Sequence, residues 1–297
     1  MNNSILSYLH HFSQQLAPLY VSKEEQQHIA WLLVQKVTGK SLIMLLREQD
    51  YILTEEQKYH LERYLDEHVN KHKPLQYILG SVPFGDLEII VESPTLIPRP
   101  ETEEWVCNLS QKLCKLGDKK LTILDMCTGS GVIALSLAKA LPQAALYAVD
   151  SEEHALLLAK KNADFNGITS VHFIQSDLFE LVSKDITFDL IVTNPPYITQ
   201  QEYNESDPMV KNWEDSKALL AQDEGLAIIK KIIKEAPSWL HQNDALHQQG
   251  LGNLYIEIGH LQGSYVQTLM REFGYENVHV LKDLTGHDRV AVGYYRP

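Results

Sequence analysis

The chain reads as an α/β protein in which a small helical bundle precedes a doubly wound sheet with helices on both faces. Three observations carry that expectation. Up to about residue 80 the apolar positions recur with a helical period; from residue 121 short apolar runs alternate with helical stretches; and the first of those runs passes through a glycine-rich bend straight into a helix. Strand–helix–strand alternation of this kind closes through right-handed crossovers.

In the first stretch, Ile5, Leu6, Leu9, Phe12 and Leu16 form one apolar stripe, and Ile29, Leu32, Leu33 and Val37 form a second that stops at Gly39. Thr54, with Glu56 and Gln57 just after it, marks a helix start leading into Tyr59, Leu61, Tyr64, Leu65 and Val69, until Pro74 ends the pattern. Four or five helices are expected, either as a partner-binding module or in a plain packing role. Between 75 and 100 the runs shorten and are broken by glycine and proline, with 87–91 as one arm of a hairpin that links the bundle to the next domain. Glu101 and Glu103 fit the acidic start of a helix expected over 105–116. Arg99, set between two prolines, is a candidate for a pocket wall or an internal ion pair.

Strands are expected at 121–126, 145–149, 171–175, 190–193, 254–258, 278–281 and 290–294, with helices at 131–140, 152–165, 224–236 and 262–273. With 297 residues at 44% hydrophobic, the chain can bury a sizeable core. A net charge of −13 gives no overall attraction to nucleic-acid phosphates. Cys107, Cys114 and Cys127 are odd in number and lack metal-ligand spacing, which argues against a disulfide framework or a zinc site and for a reducing, cytoplasmic setting. No basic, apolar leader opens the chain, and no stretch reaches the ~18 apolar residues of a membrane span.

The chemistry gathers at strand ends. The first strand runs into Asp125-Met126-Cys127-Thr128-Gly129-Ser130-Gly131, where a glycine-rich bend lets a ligand approach the backbone and aims free helix N–H groups at an anionic group. About twenty residues on, Asp150 ends the second strand, placed to accept two ribose hydroxyls. Ser176-Asp177 ends the third, where a carboxylate can meet an adenine amino group while Leu178 packs on the ring. Each acid alone is equally a solvated strand end or a helix cap. The loop lacks the full dinucleotide pattern, so the ligand reads as a nucleoside with a small charged tail.

The fourth strand, within Phe188-Asp189-Leu190-Ile191-Val192-Thr193, ends in Asn194-Pro195-Pro196-Tyr197. The prolines fix φ and remove two amide donors, leaving the Asn194 side-chain carbonyl and neighbouring backbone carbonyls as stiff acceptors beside the Tyr197 ring. Such a tip can hold a planar NH2 group by its two hydrogens while the ring stacks on its π face. The plain alternative is an Asn-Pro turn after a strand.

Taken together, Asp-x-x-Thr-Gly-Ser-Gly, Ala-Val-Asp, Gln-Ser-Asp and Asn-Pro-Pro-Tyr resemble the class I S-adenosylmethionine-dependent methyltransferases that act on a planar nitrogen. Adding Lys73-Pro74-Leu75-Gln76-Tyr77-Ile78-Leu79-Gly80, the stretch from Leu96-Ile97-Pro98-Arg99-Pro100 to Glu101-Thr102-Glu103 and the helical N-terminus, nearly the whole chain is similar to the HemK/PrmC family. The resemblance implies a Rossmann-like, seven-stranded, mostly parallel sheet behind an N-terminal helical bundle. It implies a recognition domain over 1–80, a hairpin linker over 81–97 and a catalytic domain over 98–297. It implies methyl transfer from S-adenosylmethionine to the N5 amide nitrogen of the glutamine in the Gly-Gly-Gln motif of class I peptide chain release factors, giving S-adenosylhomocysteine. No metal, direct nucleic-acid contact or membrane is implied.

Carried over residue by residue, the resemblance makes Asn194, Pro195, Pro196 and Tyr197 the catalytic and substrate-holding tip, with Arg99 beside the substrate. Asp125, Cys127, Thr128, Gly129, Ser130, Gly131, Asp150, Asp177, Leu178 and Asn194 become the cofactor site. Three departures stand out: Cys127 replaces a glycine, Glu214-Asp215 stands where Glu-Pro is usual, and 243–252 is longer and more polar than the family's turn. Two other readings compete: N-methylation of adenine or guanine in DNA or RNA on the same tip, and a non-enzymatic cofactor-binding adaptor. The acids Glu202, Glu205, Asp207, Glu214, Asp215, Asp223 and Glu224 just after the tip oppose the first, and an intact tip opposes the second.

Overall fold

The computed structural model describes residues 5–48, 50–117 and 119–296, with the side chains of Leu6 and Ser7 outside the described set. The chain forms two compact units: residues up to Gly80 together with Asp207–Trp213, and Ser81–Ser206 together with Glu214 onward. Among the described residues no helix is long and apolar enough to cross a membrane.

The first unit is helical because its apolar residues repeat every three to four positions and its helix ends are capped. Helices α1 (Ile5–Gln15) and α2 (Lys23–Thr38) are followed by α3 (Leu42–Arg47), α4 (Glu55–Leu65) and α5 (Leu75–Leu79). The Ser22 hydroxyl accepts from Glu25 N at the start of α2, and Gly39, at φ 65°, closes it with an N–H to the Gln35 carbonyl. Thr54 and Gln57 form a reciprocal capping box that opens α4. Ile5, Leu9, Phe12, Leu16, Ile29, Leu33, Leu61 and Leu65 make one buried cluster, whereas Tyr59, read as part of an apolar stripe, is 64% exposed. The returning segment packs locally: Trp213 Nε1–H donates to the Lys71 carbonyl at 3.1 Å, and Lys73 Nζ sits 5.2 Å from the Trp213 ring centroid.

The second unit opens with the hairpin β1 (Ser81–Phe84) and β2 (Leu87–Ile90), then α6 (Pro100–Cys114). Next come β3 (Thr122–Met126), α7 (Val132–Ala140), β4 (Ala145–Asp150), α8 (Glu153–Phe165), β5 (Val171–Gln175) and β6 (Leu190–Thr193). After α9 (Gln200–Glu205), the first unit's α10 (Pro208–Trp213), α11 (Gln222–Gly225), α12 (Ala227–Glu235) and α13 (Asp244–Gln248), the chain ends with β7 (Leu254–Glu257), α14 (Gly263–Glu272), β8 (Glu276–Lys282) and β9 (Asp288–Tyr294). The seven strands lie in the order β5-β4-β3-β6-β7-β9-β8, parallel from β5 to β7 and antiparallel at β9 and β8. Chain order reverses direction between β3 and β6, the switch point where open sheets bind ligands.

Two helices depart from their sequence expectation. Helix α6 begins at Pro100 rather than residue 105, because proline is favoured in the first turn and Glu101 and Glu103 complement its dipole. The helix expected from 224 begins at Ala227, because Asp223 and Glu224 adopt left-handed backbone angles and Gly225 follows at φ 78°. A Cβ on Gly225 would lie 2.1 Å from the Tyr197 carbonyl oxygen, so a tertiary contact overrides local helix preference here. In the long 243–252 stretch, Asn243 caps α13 by accepting from Ala245 N and Leu246 N.

The hairpin is not free-standing, since α8 clamps it. Buried Asn162 accepts from Ile90 N at 2.7 Å, and its Nδ2 donates to the carbonyls of Ile90 (3.1 Å) and Ser130 (3.0 Å), tying the hairpin to the glycine-rich bend. Replacing Asn162 by Leu strands these backbone groups, at roughly 1–3 kcal/mol for each one buried without a partner. Urea denaturation of Asn162→Leu is expected to show a midpoint lowered by at least about 2 kcal/mol of stability at unchanged m-value. An unaltered midpoint would show that the clamp contributes nothing to stability.

Candidate active site

The parallel register aligns the strand ends. Met126 pairs with Val149 on one side and Thr193 on the other, Asp150 pairs with Gln175, and Thr193 pairs with Ile256. The row along the carboxyl edge is therefore Cys127, Asp150, Gln175, Asn194 and Glu257, with Ser176 one residue beyond it. A cavity opens there, lined by Cys127, Gly129, Asp150, Asp177, Leu178, Asn194 and Pro196 from the sequence-predicted set. Thr95, Leu96, Glu152, His154, Lys217, Leu220 and Ile228 complete much of its wall.

The remaining bend residues sit beneath the cavity rather than in its wall. Asp125 is fully buried, and its Oδ2 accepts from the Thr128 hydroxyl at 2.6 Å and from Ala134 N at 3.0 Å, so it ties the bend to the start of α7. Of the residues expected at the cofactor site, Asp125, Thr128, Ser130 and Gly131 are outside the cavity wall and shape the loop that presents Cys127 and Gly129 to it. Cys127 takes the position usual for glycine at φ 61°, and burial pushes its thiol pKa up, which keeps it protonated.

Asp150 already holds two backbone donors, Gly129 N at 2.8 Å and Glu152 N at 3.0 Å, one on each oxygen. Each oxygen keeps lone-pair capacity toward the cavity. Burial raises its pKa against those two bonds. Asp177 is exposed at the rim, whereas Leu178 is buried at φ 49° and contributes an apolar wall. Glu152, His154 and Asp215 each offer one potential ligand atom, all within 4.8 Å of one another. Lys217 already pairs with Glu152 at 3.1 Å, and Asp215 accepts from Lys217 N.

At the tip the four predicted residues separate. Asn194 and Pro196 line the cavity, whereas Pro195 is buried and Tyr197 is turned toward Glu257, to whose Oε1 its hydroxyl donates at 3.4 Å. Tyr197, expected as a stacking surface, is outside the cavity wall. Burial and the Glu257 charge hold the Tyr197 phenol well above its ordinary pKa. Its carbonyl accepts from Gln262 Nε2 at 3.0 Å, so the tip is held from behind. Asn194 Nδ2 donates to the Thr102 hydroxyl at 3.2 Å, and Thr102 and Trp105 Nε1 both donate to Glu257 Oε2 at 2.8 Å. Arg99 lies in an ion pair with buried Glu214, the internal role weighed for it, and is not in the cavity wall. Desolvation raises the Glu214 pKa, opposed by the Arg99 guanidinium.

Glu257 and Thr102 were not singled out from the sequence. The signal for Glu257 is an acid ending a wholly apolar strand, the same one that marks Asp150.

Residues 108–243 match the Methyltransferase small domain, and residues 7–80 match the PrmC N-terminal domain. The chain is 38% identical over 261 residues to the release factor glutamine methyltransferase of Lactococcus lactis, covering 88% of this chain and 90% of that one. It is 34% identical to that of Flavobacterium psychrophilum, over 98% and 99% of the two chains. The chain belongs to the release factor glutamine methyltransferase family. Its methyltransferase fold is shared with the hMettl16 catalytic domain, solved with an RNA hairpin, at a TM-score of 0.51 and 17% identity over 80% of this chain and 81% of that one.

The buried carboxyl of Asp125 gives this family member a measurable pH signature. Burial pushes its pKa from 3.8 to about 7, against the bonds from Thr128 and Ala134. The folded state therefore holds a proton that the unfolded chain has released, and stability falls as pH rises through this window by about 1.4 kcal/mol per unit. Between about pH 5 and about pH 7 the stability of Asp125→Asn is expected to fall by about 2 kcal/mol less than that of the wild type, read by chemical denaturation. Equal falls would show that Asp125 is ionised in the folded state throughout.

Proposed function

We propose that this family member transfers a methyl group from S-adenosylmethionine to the side-chain amide nitrogen of the glutamine in the Gly-Gly-Gln motif of class I release factors, releasing S-adenosylhomocysteine. The observation that carries the reading is the Asn194 amide at the cavity wall, with its NH2 engaged by Thr102 and its carbonyl left as an acceptor. The cavity suits the cofactor. Asp150 can take ribose hydroxyls, Leu178, Leu220 and Ile228 offer apolar surface to an adenine, and the nearby carboxylates favour a cationic sulfonium and ammonium.

When bound, the cofactor supplies an electrophilic sulfonium methyl. A carboxamide nitrogen is a weak nucleophile because its lone pair is delocalised. The Asn194 carbonyl and the backbone carbonyl of Pro195 would accept its two N–H bonds, supporting the positive charge that develops on nitrogen. Holding the amide in place supplies the orientation term. A carbon–nitrogen bond forms as the carbon–sulfur bond breaks, and the acidic product nitrogen then releases its proton to water. This step calls for no metal. Translation termination factors are cytoplasmic partners, so the reading places the enzyme there, and the acidic rim of Glu152, Asp177 and Asp215 disfavours a nucleic-acid strand.

We assign substrate recognition to the first unit, where Ile43 is 66% and Leu46 48% exposed on α3. Replacing both by glutamate is expected to raise KM for whole release factor severalfold while leaving a short Gly-Gly-Gln peptide unaffected, since remote contacts help only a substrate large enough to make them. Parallel changes on both substrates would sink that role.

The chemical reading is tested by transfer of labelled methyl to purified release factor against DNA and RNA. In that assay Asn194→Ala is expected to lower turnover by about 10² or more with cofactor affinity nearly intact. Asp150→Ala should do the converse, weakening S-adenosylmethionine binding by about 1.5–3 kcal/mol through loss of a charge-assisted hydrogen bond. Calorimetry showing unchanged affinity would cancel the Asp150 assignment, and label on nucleic acid would replace the substrate.

A further inference from the structure

We propose that Thr102 and Glu257 are positioning residues that lock the Asn194 amide with its NH2 facing inward and its carbonyl presented to the substrate nitrogen. The inference rests on the function proposed above and adds what makes its central acceptor an acceptor. An asparagine side chain is pseudo-symmetric: a half-turn about its last bond exchanges a carbonyl for an NH2 at almost the same place. In the wrong orientation Asn194 would present two donors to a substrate group that also donates, and the contact would become repulsive.

The buried cluster removes that ambiguity by polarity. Glu257 is 1% exposed at the end of β7, and an ionised carboxylate only accepts. It takes Trp105 Nε1–H and the Thr102 hydroxyl on Oε2, and the Tyr197 hydroxyl on Oε1. Because the single hydroxyl proton of Thr102 is spent on Glu257, its oxygen faces Asn194 solely as an acceptor, and the Asn194 group 3.2 Å away must be the NH2. The chain of donation therefore runs one way, from Asn194 to Thr102 to Glu257. Thr102 is 2% exposed, so water does not compete for its lone pairs. Burial raises the Glu257 pKa, opposed by the donors Trp105, Thr102 and Tyr197 and by the charge of Arg289, itself held by Asp283 at 2.9 Å; three donors converging on the two oxygens match a carboxylate that only accepts.

The plain alternative is that the cluster merely fastens α6 to the sheet edge. Isosteric replacement separates the two. Thr102→Val keeps the volume and leaves Trp105 to fasten α6 to Glu257, but removes both the acceptor for Asn194 and one donor to Glu257, whereas Thr102→Ser retains both. Steady-state kinetics with release factor should show kcat falling about tenfold in Thr102→Val, the scale of one misplaced hydrogen bond, with both KM values within about twofold of wild type. Thr102→Ser should restore kcat to within about threefold of wild type. In an Asn194→Ala background the Val substitution should have no further effect on kcat, because the group it orients is gone. Full kcat in Thr102→Val, failure of Ser to restore it, or an equal extra loss in the Asn194→Ala background would each overturn the inference. Absence of methyl transfer by the wild-type chain would overturn the functional reading and this inference with it, whereas an active wild type with an unimpaired Val variant overturns this inference alone.

Discussion

The register of the parallel sheet is the constraint on which the site depends. Once Met126 is paired with both Val149 and Thr193, and Thr193 with Ile256, the side chains that leave the sheet at its carboxyl edge have no freedom to drift apart. A one-residue slip in any strand would exchange the side chains packed on its two buried faces and carry its terminal polar residue out of the row. The core thereby enforces the geometry of the edge: Ile191, Val192, Leu254 and Ile256 are fully buried, and their packing fixes where Asn194 and Glu257 emerge. Stability and site geometry are the same constraint viewed from the middle and the end of each strand.

The edge concentrates carboxylates in a poorly solvated place. Asp125, Asp150 and Glu257 are all pushed toward higher pKa by burial, and each is offset mainly by hydrogen-bond donors. Glu214 differs, with Arg99 as its partner. Backbone and side-chain donors stabilise a charge without neutralising it, so the field of Asp150 still reaches the cavity. A pocket of that sign suits a ligand carrying positive charge on a nucleoside.

Much of this was legible in the chain because buried strands are continuous apolar runs and their last polar residue is conspicuous. That logic located all seven strands of the sheet, the bend at 127–131 and the residues Asp150, Leu178 and Asn194 that the structure brings to one cavity. What stayed hidden depends on partners far apart in sequence. Arg99 and Glu214 are 115 positions apart, and Glu257 is 155 from Thr102. The left-handed turn at Asp223 and Glu224 leads into Gly225, which meets the Tyr197 carbonyl, and no local periodicity encodes that meeting. The same holds for Asp207–Trp213, which belongs to the first unit although it comes after the tip in sequence.

The tip by itself is chemically indifferent to whether an NH2 comes from an amide or a base, since both offer two hydrogens in a plane. What it requires is acceptors, and a side-chain amide supplies one in only one of its two orientations. Backbone carbonyls such as that of Pro195 carry their polarity in the chain direction, but Asn194 must be given its polarity by a neighbour. A carboxylate is the natural terminus for such a chain, because it cannot donate and so transmits direction through every hydroxyl between it and the amide. Placing Glu257 on the strand adjacent to that of Asn194, and Thr102 in the first turn of α6, puts that terminus on a strand and a helix rather than on loops, which is where a precisely held site is best built.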